Sequence, residues 1–220
     1  MWEAVFLSLR VSAVATIVAL PLAIWVAHVL ARKSFRGHAL LNGLVHLPLV
    51  LPPVVTGYLL LVVFGRSGVI GGPLFEWFGV TLAFRWTGAA LAAGIMGFPL
   101  MVRAIRLGFE AVDGGLEDAA RTLGASEGRV FRTVTLPLIA PAIVAGAVLG
   151  FAKALGEFGA TITFVAAIPG QTQTIPSAIY GLLQVPGQER AVVVLVVISV
   201  TLAMGALVAS EWLARRMVVR

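Results

Sequence analysis

Six long stretches of this chain contain no Asp, Glu, Lys or Arg: residues 11–31, 37–65, 86–102, 133–152, 158–188 and 191–210. An α-helix needs about 20 mostly apolar residues to cross the roughly 30 Å hydrocarbon layer of a bilayer. Four of the stretches meet that length outright. The stretch 86–102 is short, but reaches far enough if Arg103 turns its charged end toward the interface. The sixth, 158–188, is interrupted by Gly159, Pro169, Gly170, Gln171, Thr172, Gln173, Thr174, Pro176 and Gly181. Irregular backbone is not tolerated against lipid, so its second half should lie outside the hydrocarbon or be sheltered by protein. The reading is an all-α integral membrane protein with five spans, six being the alternative.

Composition agrees. The chain is 60% hydrophobic and 12% charged, with a mean hydropathy of +1.01. A net charge of +6 would suit nucleic acid in a polar chain; in one this apolar, basic residues mark loops on the inner side of a membrane. With five spans the inner side collects eleven of them: Arg32, Lys33, Arg36, Arg103, Arg106, Arg121, Arg129, Arg132, Arg215, Arg216 and Arg220. The outer loops hold three, Arg66, Arg85 and Arg190. That asymmetry places the N-terminus outside and the C-terminus inside. The first apolar stretch is preceded by Glu3 and followed by a basic cluster, the reverse of a secretory signal's polarity. Cysteine is absent, so a disulfide framework and thiolate chemistry are excluded. At 220 residues the expectation is one membrane domain, 1–220, without a large soluble module. No G-x-x-x-x-G-K-[ST] loop is present to cradle nucleotide phosphates. His28, His38 and His46 lie among apolar neighbours and read as packed or interfacial histidines. The chain reads as a non-enzyme that binds no cofactor or metal of its own.

Charge crowds into one place. Residues 103–132 carry ten of the 26 formal charges. Within them, Leu116, Ala119, Ala120 and Leu123 fall at helical spacing and form a short apolar stripe, with Glu117, Asp118 and Arg121 on the other side. Gly124 is a natural C-terminal stop, Ser126 a cap for a second short helix, and Pro137 belongs in the first turn of the next span. Two short helices joined at a glycine bury too little to be stable alone. They need a partner surface, and the alanines would let one approach closely.

The sequence here resembles the permease subunits of ABC importers. Their motif reads E-A-A, three residues, G, nine residues, I-x-L-P. Asp118, Ala119, Ala120, Gly124, Val134, Leu136 and Pro137 reproduce that spacing, with Asp for Glu and Val for Ile. The segments "HLPLVLPPVVTGYLLLVVFGRSGVIG", "GFPLMVRAIRLGFEAVD" and "KALGEFGATITFVAAIPGQTQTIPSAIY" are similar to the molybdate-importer permeases, and sulfate and thiosulfate permeases are similar in the same places. The resemblance implies a type I importer permease fold in a bacterial inner membrane. It also implies that residues 113–137 form the cytoplasmic segment coupling the permease to an ATPase subunit. The implied partners are a second copy of the chain, two ATP-binding subunits that use the ATP, and a periplasmic molybdate-binding protein. Some relatives carry an extra N-terminal span, and the five-span count expects this chain to begin without one. Tungstate or sulfate transport, or a stand-alone secondary anion transporter, are the alternatives; the spaced motif argues against the last.

Two features inside the spans carry further expectations. Lys153 and Glu157 are four apart on one helix and either neutralise each other across a turn or present positive potential to a passing dianion. Pro48, Pro52 and Pro53 must bend or break the second span, as a packing kink or as part of a gate.

Overall fold

The computed structural model describes the backbone of residues 1–218 and the side chains of residues 1–209, Glu211 and Trp212. Arg220, counted above on the inner side, lies outside the described residues, as do the side chains of Arg215 and Arg216. Among the described residues the regular structure is helical: α1 (Trp2–Arg32), α2 (His38–Val50), α3 (Pro53–Phe64), α4 (Gly71–Phe78), α5 (Trp86–Glu110), α6 (Gly114–Thr122), α7 (Glu127–Val130), a π-turn (Phe131–Thr135), α8 (Leu136–Leu155), α9 (Gly159–Val165), α10 (Ile175–Leu182) and α11 (Glu189–Val218). Four helical stretches are long and apolar enough to cross a membrane: α1, α5, Glu127–Leu155 and Glu189–Ala209. Helices α2 and α3 pass the same test together and, bent by 113° at their junction, make a fifth if the pair is one span.

Two of these spans outrun their uncharged stretches. Helix α1 begins at Trp2 and carries Arg10, whose guanidinium sits 3.7 Å over the Trp86 ring. A cation on an aromatic face keeps a charge in a partly apolar setting. Helix α5 continues past Arg103 to Glu110, because Met101, Val102, Ile105 and Phe109 keep one face fully buried while Arg106 pairs with Glu110 on the other. A charge-free stretch marks where lipid is crossed, and the packing face decides where the helix ends.

Helix α5 is the centre of the bundle. It lies against α1 on one side and α8 on the other, and its small buried residues (Gly88, Ala89, Ala90, Ala92, Ala93, Gly94) let backbones approach. Helix α11 packs against α8, leaving most of its apolar surface bare in the single chain.

The bend between α2 and α3 follows from its prolines. Leu51 precedes Pro52, and Pro52 precedes Pro53. A residue before proline is pushed out of the helical region, and both are extended here, with ψ of 142° and 134°. Pro53 then starts α3, where its missing N–H costs nothing.

The polar sixth stretch contains no helix long and apolar enough to cross. It forms α9 and α10 with a loop between them, and its polar groups are satisfied by protein. The Thr172 hydroxyl bonds the carbonyls of Val165 and Ala166 and accepts from the Ile168 N–H. The Ile175 N–H donates to Ser8 Oγ on α1 at 2.7 Å. This is the shelter such backbone requires at membrane depth.

Candidate functional site

Helices α6 and α7 form an elbow at the end of the bundle where α1 finishes. Asp113 caps α6 by accepting from the Gly115 N–H at 2.9 Å. At the other end the Ala125 N–H reaches the Ala120 carbonyl and the Gly124 N–H reaches that of Arg121. This paired closure needs a left-handed residue at the turn, and Gly124 supplies it with φ of +85°. Ser126 stands at the cap position of α7 without a side-chain hydrogen bond.

Arg121 ties the elbow together. Its guanidinium bonds Asp118 on α6 at 2.7 Å and Glu127 at the start of α7 at 2.7 and 3.1 Å. Glu127 first, and Asp118 second, hold the Arg121 pKa above its ordinary value. Arg121 therefore bridges the two helices on a solvent-exposed polar face.

The elbow's two faces are distributed unexpectedly. The apolar stripe points away from the protein: Leu116 and Ala119 are exposed, Leu123 is 89% exposed, and only Ala120 is half-buried. Glu117, read from the pattern as a polar outward residue, is instead buried at 8% exposure. Its Oε1 accepts from Arg32 at the end of α1 at 3.2 Å and from the Thr135 hydroxyl at 2.7 Å. Thr135 belongs to the π-turn leading into α8, and it too is buried. Val134 and Leu136 are half-buried beside it, and Pro137 is exposed in the first turn of α8. Periodicity within α6 could not have found Glu117's partners, since one lies 85 residues away.

The second set of residues lies deeper in the bundle. Lys153 Nζ bonds Glu157 Oε2 at 2.7 Å, and Glu157 Oε1 accepts the Ala160 N–H at 2.9 Å. Glu157 is almost wholly enclosed, while Lys153 retains 30% side-chain exposure. Glu157 does not continue the helix of Lys153, since α8 ends at Leu155; its carboxylate pairs with that cation from the linker and also serves the first turn of α9. That turn abuts the proline break: a Cβ on Gly159 would stand 2.7 Å from Pro53 Cβ. Pro53 is thereby brought against Gly159, two residues beyond Glu157. Pro52 precedes it at the break, and Pro48 lines an apolar cavity of about 670 Å³ between α1, α2 and α5.

The histidines are packed. His28 meets the rings of Phe109 and Phe131 edge-on, at centroid distances of 5.1 and 5.9 Å. His38 and His46 engage the carbonyls of Leu30 and Asn42. Among the described residues no cluster of His, Asp and Glu could hold a metal ion.

A family model described as "Binding-protein-dependent transport system inner membrane component" matches residues 19–219. The molybdenum transport system permease protein ModB of Escherichia coli K12 is 61% identical over 214 residues, covering 97% of this chain and 93% of its own. The protein of that name from Haemophilus influenzae is 56% identical, covering 98% and 94%. A sulfate transport system permease protein, CysW of Synechococcus elongatus, is 40% identical over 68% of this chain and 52% of its own. Among solved structures, a chain of a bacterial alginate ABC transporter superposes with a TM-score of 0.75 at 17% identity, covering 98% of this chain and 78% of that one. A chain of the MetNI methionine ABC transporter gives 0.73 at 16%, covering 98% and 93%. At those identities the likeness establishes the ABC importer permease fold. With the family match spanning nearly its whole length, the chain belongs to the inner membrane components of binding-protein-dependent transport systems.

Proposed function

We propose that this chain is the membrane-spanning subunit of an ATP-driven importer that passes molybdate from a periplasmic binding protein into the cytoplasm. The observation that carries the proposal is the elbow of α6 and α7. It turns an apolar stripe outward while its own carboxylate is bound within the chain, an arrangement suited to docking in a groove of a separate subunit that hydrolyses ATP. Two copies would surround one pathway, each with residues 113–137 on an ATPase. ATP binding would close the ATPase pair, carry the elbows with it and turn the paired permeases outward. The N-terminus would lie outside and the elbow inside, as the basic loops require.

Molybdate is favoured because relatives named for molybdenum transport match at 56–61% identity over 93–94% of their length, whereas the sulfate relative matches at 40% over 52% of its own. Selection would rest largely in the binding protein, since a permease holding its cargo tightly would release it slowly. The test is reconstitution of the chain with its co-purifying ATPase and binding protein, followed by ATPase turnover with molybdate, tungstate and sulfate. Stimulation by the molybdate-loaded binding protein alone, or with tungstate, supports the proposal. Stimulation by sulfate only makes this a sulfate permease. Uptake without an ATPase would overturn the coupled mechanism.

A further inference from the structure

The proposed mechanism leaves open how movement of a surface elbow reaches helices inside the membrane. The stripe of α6 faces outward and transmits nothing inward by itself. One side chain of α6 is buried toward the bundle, and it is Glu117. Its single Oε1 is shared by Arg32, the last residue of α1, and Thr135, the last residue of the π-turn.

We infer that Glu117 is a positioning residue that joins the elbow to α1 and α8, so that displacement of the elbow is passed to both helices. The inference rests on the coupling role proposed above.

Three observations carry it. First, the bonds are long-range. They link α6 to α1 across 85 residues and to the entry of α8 across 18, whereas Arg106–Glu110 and Lys153–Glu157 each join residues only four apart. Second, the two residues within α6 and the π-turn are buried: Glu117 is 8% exposed and Thr135 3%, beside a polar cavity of about 1040 Å³ that Arg32 also lines. Hydrogen bonds to a charged group in such a setting are about twice as strong as neutral ones. Third, the chain departs from α-helical geometry at Phe131–Thr135, where the hydroxyl is presented. A π-turn replaces the i→i+4 pattern with i→i+5 bonding and is frequently found at functional sites. Here it places the Thr135 hydroxyl 2.7 Å from the carboxylate. Above the pair, Phe131 of the same turn rests on His28 of α1, so the two helices are also packed together there.

The Glu117 bonds therefore tie α1, α6 and the head of α8 at one point. A pull on the elbow would move the inner ends of two spans at once.

The test uses the reconstituted complex of permease, ATPase and molybdate-loaded binding protein. Glu117→Gln keeps the side-chain shape but removes the charge that holds Arg32. The ATPase should still co-purify, because the outward stripe is untouched. The ratio of stimulated to unstimulated turnover within that variant should fall by about fivefold or more, the low end of typical coupling between sites. Thr135→Val should lower the ratio, and Thr135→Ser, which keeps the hydroxyl, should restore it. These two probe the same joint should Glu117→Gln fail to reach the membrane. Spin labels on Lys33→Cys and Gly128→Cys, in a chain with no native cysteine, should keep one separation in nucleotide-free and ATP-trapped complexes. In the Glu117→Gln background that separation should change on trapping. A wild-type stimulation ratio in Glu117→Gln, loss of ATPase recovery in that variant, equal ratios for Thr135→Val and Thr135→Ser, or a label separation that shifts on trapping in the otherwise unaltered chain would each overturn the inference. A failure of the coupling reading itself would appear separately, as ATPase recovery that survives an acidic residue in the stripe.

Discussion

Gly124 closes the elbow through its backbone conformation, and substitutions there should rank by how well they tolerate it. Gly124 has φ of +85° and nothing within 4 Å of where a Cβ would stand. Gly124→Ala therefore meets no clash, and its cost is conformational, about 1–2 kcal/mol for an L-residue held left-handed. Gly124→Asn should cost less, since asparagine tolerates that region. Uptake by the reconstituted complex should rank glycine above asparagine above alanine above valine. At the Lys153–Glu157 pair the logic is electrostatic. Lys153→Met strands a carboxylate that is almost fully enclosed, and leaving a buried charge without its partner is destabilising. Glu157→Leu strands a lysine that still reaches solvent, so it should destabilise less in charge terms while also taking the Ala160 N–H partner. The double change removes both charges and should melt closer to wild type than Lys153→Met alone, as thermal unfolding of the detergent-solubilised chain would report. A double variant that folds yet transports nothing would assign the pair a role in the pathway.

At the scale of elements, the seam between α3 and α9 is where packing is least forgiving. A Cβ on Gly57 would stand 2.5 Å from the Ala160 carbonyl and 2.8 Å from Thr163 Cβ. Gly57→Val should then destabilise by about 1–3 kcal/mol, typical of overpacking. It should also disturb Glu157, whose Oε1 is bonded to the Ala160 N–H. A lowered melting temperature together with reduced uptake checks this; an unchanged melting temperature would mean the seam is not held as described. How far such elements were legible in the sequence depended on the range of the interactions behind them. The break at Leu51 and Pro52 could be read directly, because the proline constraint acts on the neighbouring residue. The closure of α6 at Gly124 was equally local. The extension of α5 to Glu110 was not, since its end is set by Ile105 and Phe109 packing against other helices. The reversal of α6, with Glu117 inward and Leu123 outward, had no local signal. Periodicity identifies two faces, but which one meets the protein depends on Arg32 and Thr135, and pairing across such distances leaves no mark in a single sequence.

For the whole molecule, orientation and docking remain as expectations with direct tests. Single cysteines near Ser34 and Ala125 should be labelled from the cytoplasmic side, and ones near Gly71 and Gln173 from the periplasmic side. Gly71 on the cytoplasmic side would contradict the five-span arrangement. Large apolar side chains also remain bare on α2, α3 and α11 in the single chain. Lipid and a second copy would cover them in the membrane, so assembly through these helices should be indifferent to changes in the elbow. The elbow's own partner is the central claim. Leu123 is 89% exposed, and Ala120 lies half-buried one helical turn away on the same stripe. Replacing either with aspartate places a charge where an apolar contact with the ATPase is proposed, leaving a buried carboxylate without a partner. The deciding measurement is the amount of ATPase recovered when affinity-tagged Ala120→Asp and Leu123→Asp permeases are purified from membranes. The expected result is normal membrane insertion and dimer formation with loss of the ATPase. Recovery of the ATPase at the wild-type ratio in both variants, with molybdate uptake intact, would contradict the account.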